Sequence, residues 1–274
     1  MSTPCLHTSA SSAPVILSVA GSDCSAGAGL QADLKTGFAL GCYPLTAVTC
    51  VVNEVPGRVA GIVPMAAEFV AAQVRLCLDS FPVAAVKLGM LYSPAIVEAV
   101  AAELRGRNLP VVTDPVMIAT AGEPLMQKAA VRAYEECIFP LTTVLTPNRD
   151  ELEALLGCAP LGSVTALQRA AEELCSRCGC AVLAKGGHVE GRDCTDVLAR
   201  PQQESLRWSH PRTTGVSTHG TGCTLSSAVA AQLAHGLPLA EAVPAALDYV
   251  AAAIARSHRL GSQWALNHAP FRAC

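Results

Sequence analysis

Aromatic side chains are scarce: Phe, Trp and Tyr make up 4% of 274 residues, and charged residues only 15%. So few rings do not build the stacking platforms that hold single-stranded nucleic acid. The net charge is −3 and no basic run occurs, so the concentrated positive patch that a nucleic acid or an anionic membrane needs is missing. No uncharged apolar stretch reaches the roughly 18 residues that span a bilayer. The richest, 225–239, is interrupted by Ser226, Ser227, Gln232 and His235 and reads as Ala-rich buried helix. Residues 1–14 lack both a basic start and a long apolar centre, so they read as a flexible leader and not as a signal peptide. Residues 15–274 contain no repeat and no Pro-, Gly- or Ser-rich linker, and read as one domain.

Apolar residues are plentiful, at 51%. That excludes a disordered chain and supports one large core. The 13 cysteines leave at least one unpaired, and a chain of this length needs no disulfides, which points to a reducing cytoplasm. Cys175, Cys178 and Cys180 form a C-x-x-C-x-C run. Zinc usually takes four ligands from two such pairs, and there is no second pair. The run reads as core filling at a helix end, with a metal or redox role as the other reading.

Short apolar runs alternate with helical patterns. Strands are expected at 15–20, 45–52, 84–88, 110–114, 142–145 and 181–185, each nearly continuous in apolar residues, as in strands covered on both faces. Helices are expected at 28–41, 67–80, 93–106, 127–138, 149–156 and 163–178. Ser93–Pro94 supplies a cap with proline behind it, and Ser163 another cap. Segments 195–199 and 205–209 suggest an antiparallel edge hairpin. Two helices, 221–235 and 238–258, close the chain. Pro244 removes one hydrogen bond from the second, which is expected to start later or to kink. The alternation implies a doubly wound, mostly parallel α/β sheet, with ligands outside the carboxyl ends of its strands.

Five segments lie at those ends. Residues 20–35 run from a strand through a loop of small residues, including Gly21, Ala28 and Gly29, into a helix. Such a loop lets backbone N–H groups approach a ligand, although neither a Walker A loop nor a full dinucleotide fingerprint is present. Asp33, one turn into that helix, can bind a substrate hydroxyl or simply favour the helix N-terminus. Residues 218–226, Thr-His-Gly-Thr-Gly-Cys-Thr-Leu-Ser, open a long helix with glycines, which makes an anion hole. Cys223 sits where a thiol pKa is lowered: it is either the base for an attacking hydroxyl or a small buried residue beside the phosphate loop. In Thr146-Pro147-Asn148-Arg149-Asp150-Glu151, Asn148 and Glu151 share a helical face. They suit a hydrated Mg²⁺ or a capped helix. Lys185, before Gly186-Gly187-His188, can reach nucleotide phosphates as a point charge. Asp114, before Pro115-Val116-Met117, sets a carboxylate beside an apolar wall.

Together with Lys87–Leu91 (KLGML), these motifs resemble the hydroxymethylpyrimidine/phosphomethylpyrimidine kinases of thiamine biosynthesis, within the ribokinase-like superfamily, from about Val15 to His268. The resemblance implies a central sheet of about eight or more strands with helices on both faces, and a cytoplasmic, often homodimeric enzyme. It implies ATP and Mg²⁺ as cofactors and a small pyrimidine as substrate, phosphorylated once and then again. Gly21, Ala28, Asp33, Met90 and Val116 are then expected to line the ring pocket. Cys223 is expected to be the general base, with Gly220, Thr221 and Gly222 as the anion hole. Lys185, Thr218 and Gly220 are expected at the nucleotide, and Asp114, Asn148 and Glu151 around Mg²⁺ through water. One position departs: family members usually carry Gln where this chain has Glu54. A carboxylate only accepts hydrogen bonds, so Glu54 is expected to favour an aminopyrimidine cation. The change also leaves room for a pyridoxine ring, and the following Val55-Pro56-Gly57-Arg58 departs as well. Two other classes share the residues: a cysteine-nucleophile enzyme pairing Cys223 with His219, and a noncatalytic binding protein.

Overall fold

A computed structural model describes residues 13–117, 128–188, 192–215 and 219–271. The strands are β1 (Val15–Asp23), β2 (Tyr43–Val55), β3 (Arg58–Pro64), β4 (Val83–Leu88), β5 (Val111–Thr113), β6 (Val144–Leu145), β7 (Ala181–Ala184), β8 (Asp193–Arg200) and β9 (Gln203–Pro211). They form one nine-stranded sheet in the order β3-β2-β1-β4-β5-β6-β7-β8-β9. From β2 through β7 the neighbours pair in parallel, while β3, β8 and β9 add antiparallel margins. This is the doubly wound, mostly parallel architecture that the alternation implied, and its nine strands agree with the eight or more that the resemblance implied.

The near-continuous apolar runs are strands buried on both faces. Leu17, Val19, Val86 and Leu88 point into a core shared with α2 (Ala67–Ser80), α3 (Pro94–Leu104), α5 (Arg149–Leu156) and α6 (Val164–Cys178). On the other face, Val112, Val144, Leu183 and Leu198 pack against α7 (Thr221–Ala234) and α8 (Leu239–Ala255). The first helix, α1 (Gly29–Ala39), lies beside β1 and α7. The chain winds outward in opposite directions from β1, whose neighbours are β2 and β4. The crevice beyond the carboxyl ends of β1 and β4 is therefore a topological switch point, where ligands bind in open α/β sheets.

Local signals hold at several ends. Ser93 accepts from Ile96 N–H with Pro94 behind it, and Ser163 accepts from Ala166 N–H. The hairpin expected near 195–209 is β8–β9. The strand β3 was not foreseen: its apolar residues Val59, Ala60, Ile62 and Val63 are split by Gly61, and most of the strand is exposed. A short hairpin after α8, β10 (His258–Leu260) with β11 (Gln263–Ala265), was also missed. Of the two Pro244 expectations the later start is corrected: α8 begins at Leu239 and runs through the proline. One interior proline costs roughly 3 kcal/mol. Burying Val243, Leu247 and Val250 on the same helix offsets it, at about 1.5–3 kcal/mol per large side chain. The helix expected at 127–138 is α4 (Lys128–Ala133) followed by a π-helical turn, Tyr134–Ile138; position 127 lies outside the described residues. That turn aims the buried Tyr134 hydroxyl at Gly89 O (2.6 Å), and Leu91 N–H donates to the Tyr134 hydroxyl oxygen (3.2 Å). The ring thus braces the loop that carries Met90.

Candidate active site

Asp23, at the end of β1, builds the first wall. Its carboxylate accepts from the N–H groups of Ser25 (2.7 Å), Gly27 (3.0 Å) and Ala28 (2.8 Å) and from the Ser25 hydroxyl (2.9 Å). His219 Nε2 lies 3.3 Å away across the fold. Burial alone pushes this carboxyl up, but the bonds from His219, Ala28 and Ser25 prevail and hold its pKa at about 2. Asp23 was not singled out in the sequence, although an acid two residues before a small-residue loop is an Asx-turn signal.

The second wall is the start of α7. Gly220 precedes it at φ +81° and meets the Gly27 carbonyl so closely that a Cβ there collides with the oxygen. Any other residue would separate the two loops. No side chain of the N-cap residue caps the turn, and the start of α7 is a positive helix end. A Cβ placed on Gly222 would stand 3.1 Å from Lys185 Nζ and 3.3 Å from Asp114 Oδ2. Lys185 itself lies 3.0 Å from Asp114 Oδ1 and 4.0 Å from Glu151 Oε2. Burial works against the ammonium, but Asp114 and Glu151 outweigh it and raise its pKa. Lysine, carboxylate and helix start thus converge, as the motifs suggested. Thr218 lies outside the described residues.

Asn148 and Glu151 form a full capping box. Asn148 Oδ1 accepts from Glu151 N–H (2.9 Å), and Glu151 accepts from Asn148 N–H (2.8 Å) and Met117 N–H (3.3 Å). Burial, reinforced by Asp114, raises the Glu151 carboxyl against the pull of Lys185. Among the described residues no group of three or more His, Cys, Asp or Glu is placed to hold a metal. The donor set suits a hydrated ion carried mainly by phosphates, not one ligated directly by this chain. Cys175 and Cys180 are buried and Cys178 is half-buried, packed with the α6 core.

Three expectations need correction. Cys223 was expected to have a lowered pKa. Burial dominates instead, and with Asp33 and Asp114 it pushes the thiol up to about 12 despite Lys87 and the Gly29 N–H. Asp33 was expected to face the substrate. It is 1% exposed and saturated: Lys87 Nζ reaches both oxygens (2.9 and 2.8 Å), and the Ser18 and Ser227 hydroxyls donate at 2.5 and 2.7 Å. The pairing of Cys223 with His219 is opposed on both sides, since His219 Nε2 serves Asp23 and a thiol this high is a poor nucleophile.

The ring end is apolar. Gly21 backs onto Cys50, Val52 and Met90; a Cβ there would stand 2.9 Å from Cys50 Sγ and 3.7 Å from Met90 Sδ. Tyr92, Val59, Ile62 and Val116 pack around this cluster. Gly21, Met90 and Val116 therefore come together as expected, joined by Cys50 and Val52, which were not foreseen. Ala28 sits instead at the pinch with Gly220. Glu54 is half-buried at the pocket rim, its backbone held on the Cys24 sulfur (3.2 and 3.4 Å). No described residue hydrogen-bonds its carboxylate. Burial and the nearby Asp23 raise its pKa, and His219 partly opposes them.

Comparison with known proteins matches this geometry. The family profile described as Phosphomethylpyrimidine kinase covers residues 23–268. A hydroxymethylpyrimidine/phosphomethylpyrimidine kinase of Rhizobium meliloti is 41% identical over 246 residues, 90% of this chain and 92% of the relative. The phosphomethylpyrimidine kinase of Clostridium difficile superposes with TM-score 0.76 at 33% identity, covering 88% of this chain and 99% of that one. An ADP complex of Bacillus subtilis pyridoxal kinase superposes with TM-score 0.86 at 33% identity, covering 94% and 98%. On sequence and architecture alike, this chain belongs to the phosphomethylpyrimidine kinase family and is a phosphotransferase.

Proposed function

We propose that the chain transfers the γ-phosphate of ATP to the hydroxymethyl group of 4-amino-5-hydroxymethyl-2-methylpyrimidine, and then phosphorylates the monophosphate, in thiamine biosynthesis. The observation that carries this reading is the convergence of Lys185, Asp114 and the glycine-rich start of α7 beside Cys223, with the Gly21–Met90 pocket next to it. Phosphoryl transfer needs little covalent help from the protein and depends on positioning and charge. Gly220, Thr221 and Gly222 offer the moving phosphoryl group a positive helix end, and Lys185 holds nucleotide phosphate as a lasting cation. Gly21, Met90 and Val116 hold the ring, with Ala28 at the loop junction. Asp33 acts from beneath, through Lys87 and Ser227. Asp114, with Asn148 and Glu151 behind it, is placed to hold Mg²⁺ through water; when bound, that ion neutralises charge on the phosphates. Cys223 receives the alcohol proton. Its high pKa makes the receptive thiolate scarce at neutral pH.

The second reading, a pyridoxine or pyridoxal kinase, is favoured by the likeness to the pyridoxal kinase fold and by Glu54 at the rim. Steady-state phosphorylation of the aminopyrimidine alcohol and of pyridoxine by the purified chain decides between them. A kcat/KM higher for pyridoxine rejects the first reading. We further propose a cytoplasmic homodimer in which residues 15–274 act as one unit. Eleven described cysteines are all free, and no described helix can cross a membrane. Exposed Val51, Val55, Val63, Phe69 and Leu76 on β2, β3 and α2 offer an apolar face to a second copy. Light scattering that gives the mass of one chain at micromolar concentration rejects the dimer.

A further inference from the structure

The stretch after β11 is neither strand nor helix, yet it is fixed. Leu266 and His268 are 4% and 7% exposed. Tyr249, from the middle of α8, donates its hydroxyl to His268 O (2.6 Å). Asn267 N–H donates to Ala253 O (3.3 Å), and Asn267 Oδ1 accepts from Ala269 N–H (2.9 Å). These bonds aim the His268 ring into the first turn of α7. There His268 Nε2 lies 3.1 Å from Thr224 Oγ1. The same hydroxyl donates to Gly220 O at 2.8 Å, and Thr224 N–H reaches that carbonyl at 2.9 Å.

A threonine hydroxyl has one proton. Thr224 donates it to the Gly220 carbonyl, and the same oxygen meets His268 Nε2, so the hydroxyl is held between the two. Burial, helped by Lys35, outweighs a backbone bond to Leu266 and keeps the ring pKa down at about 4, so the ring is neutral at working pH. Gly220 is the left-handed residue on which the phosphate-facing turn pivots, and its peptide sets the direction of the following N–H groups. Such donors lose much of their effect when misaimed by a fraction of an ångström.

We infer that His268 is a positioning residue for the phosphate-binding turn: through the Thr224 hydroxyl it locks the Gly220 peptide, so the C-terminal segment completes the active site without touching substrate. The inference rests on the phosphotransferase reading and adds to it a residue 44 positions from Thr224. Neither group was assigned a role by the motifs.

The test compares His268→Leu, His268→Gln, Thr224→Val and the double variant His268→Leu/Thr224→Val. Each is assayed for kcat, KM for ATP, KM for the alcohol, ADP affinity by calorimetry and folded fraction. In His268→Leu, kcat should fall tenfold or more per folded molecule and ADP affinity should weaken, while the KM of the alcohol stays within twofold. His268→Gln, whose amide can donate to Thr224, should recover most of the loss. The double variant should be no worse than the poorer single, since both cut one chain of bonds. A His268→Leu enzyme with wild-type kcat and ADP affinity per folded molecule overturns the inference. If that variant does not fold, Thr224→Val decides, and full activity there overturns it equally. Should the wild type phosphorylate no alcohol offered, the reaction reading fails, and ADP affinity still judges His268.

Discussion

If Cys223 takes the alcohol proton as a thiolate, its elevated pKa of about 12 governs how the rate responds to pH. Each unit below the pKa reduces the thiolate tenfold, so at pH 7.5 only ~3 × 10⁻⁵ of the enzyme carries the base form. From pH 7 to pH 10 log kcat should therefore climb with a slope near one, by about a thousandfold if proton transfer limits turnover. Asp23, Lys185 and Lys87 keep their charge across this window. Asp23 titrates at about 2, and the ammonium groups of Lys185 and Lys87 are held above their ordinary value. In Cys223→Ala the slope should vanish and the rate at pH 9 should fall by ~10²–10⁴-fold, the usual loss on removing a general base. ATP affinity should hold, because a base acts in the transition state. The assay is initial-rate ADP release at saturating ATP and alcohol, in overlapping buffers of constant ionic strength. A flat wild-type profile from pH 7 to 10 refutes the thiolate route. So does a Cys223→Ala enzyme within threefold of wild type.

Lys185→Ala should weaken ATP binding and lower kcat together, since one ammonium serves nucleotide and transferring phosphoryl group alike; a change in only one, by steady-state kinetics, contradicts that placement. Glu54→Gln should weaken the aminopyrimidine by about 10–100-fold near neutral pH, as expected for a lost charge-assisted bond, and should flatten the pH dependence of its binding; an unchanged profile from pH 5 to 9 by calorimetry counts against a cationic ring. Asp33→Leu strands a buried Lys87 ammonium and should cost about 3–5 kcal/mol in denaturant unfolding, with Asp33→Leu/Lys87→Met recovering most of it; equal losses in both variants contradict the pairing. His268 has its folded pKa lowered from 6.5 to about 4, so the stability it contributes is present above pH 6.5 and lost as pH falls through 4, about 3 kcal/mol in all; a His268→Gln chain with the same acid profile as wild type disproves it.

The fold was legible because parallel strands covered on both sides leave an unbroken apolar signature. Segments 84–88 and 181–185 were found within a residue or two of β4 and β7. β3 was illegible for the complementary reason. It pairs only with β2 and exposes Arg58, Ala60, Gly61, Val63 and Pro64, and its short apolar run is split by Gly61 and closed by Pro64, residues that read against a strand. Pro244 misled because a local rule was applied without the tertiary burial that overrides it. The π-helical turn at Tyr134 follows from that residue's bonds to Gly89 and Leu91, partners no local pattern could supply.

The same division explains the site. The phosphate end is made of contiguous residues whose chemistry is local: glycines before α7, a lysine after β7, a carboxylate after β5. Their types alone implied a shared anion site. What tunes that site is non-local. Lys87 meets Asp33 across 54 residues, Ser227 meets it across 194, and His219 meets Asp23 across 196. Each pairing settles a role that the sequence left open. Asp33, read alone, is a free acid at a helix start. With Lys87 and two hydroxyls it becomes a buried counter-charge, bonded to Ser227 one helical turn after Cys223. Cys223, read alone, is a thiol at a positive helix end. Half-buried beside Asp33 and Asp114, it has its thiol pKa raised instead. The helix-end field on a thiol and the burial of that thiol oppose each other, and only the second depends on the whole fold. That is why the helix-end signal in the motif and the raised pKa of its thiol point in opposite directions.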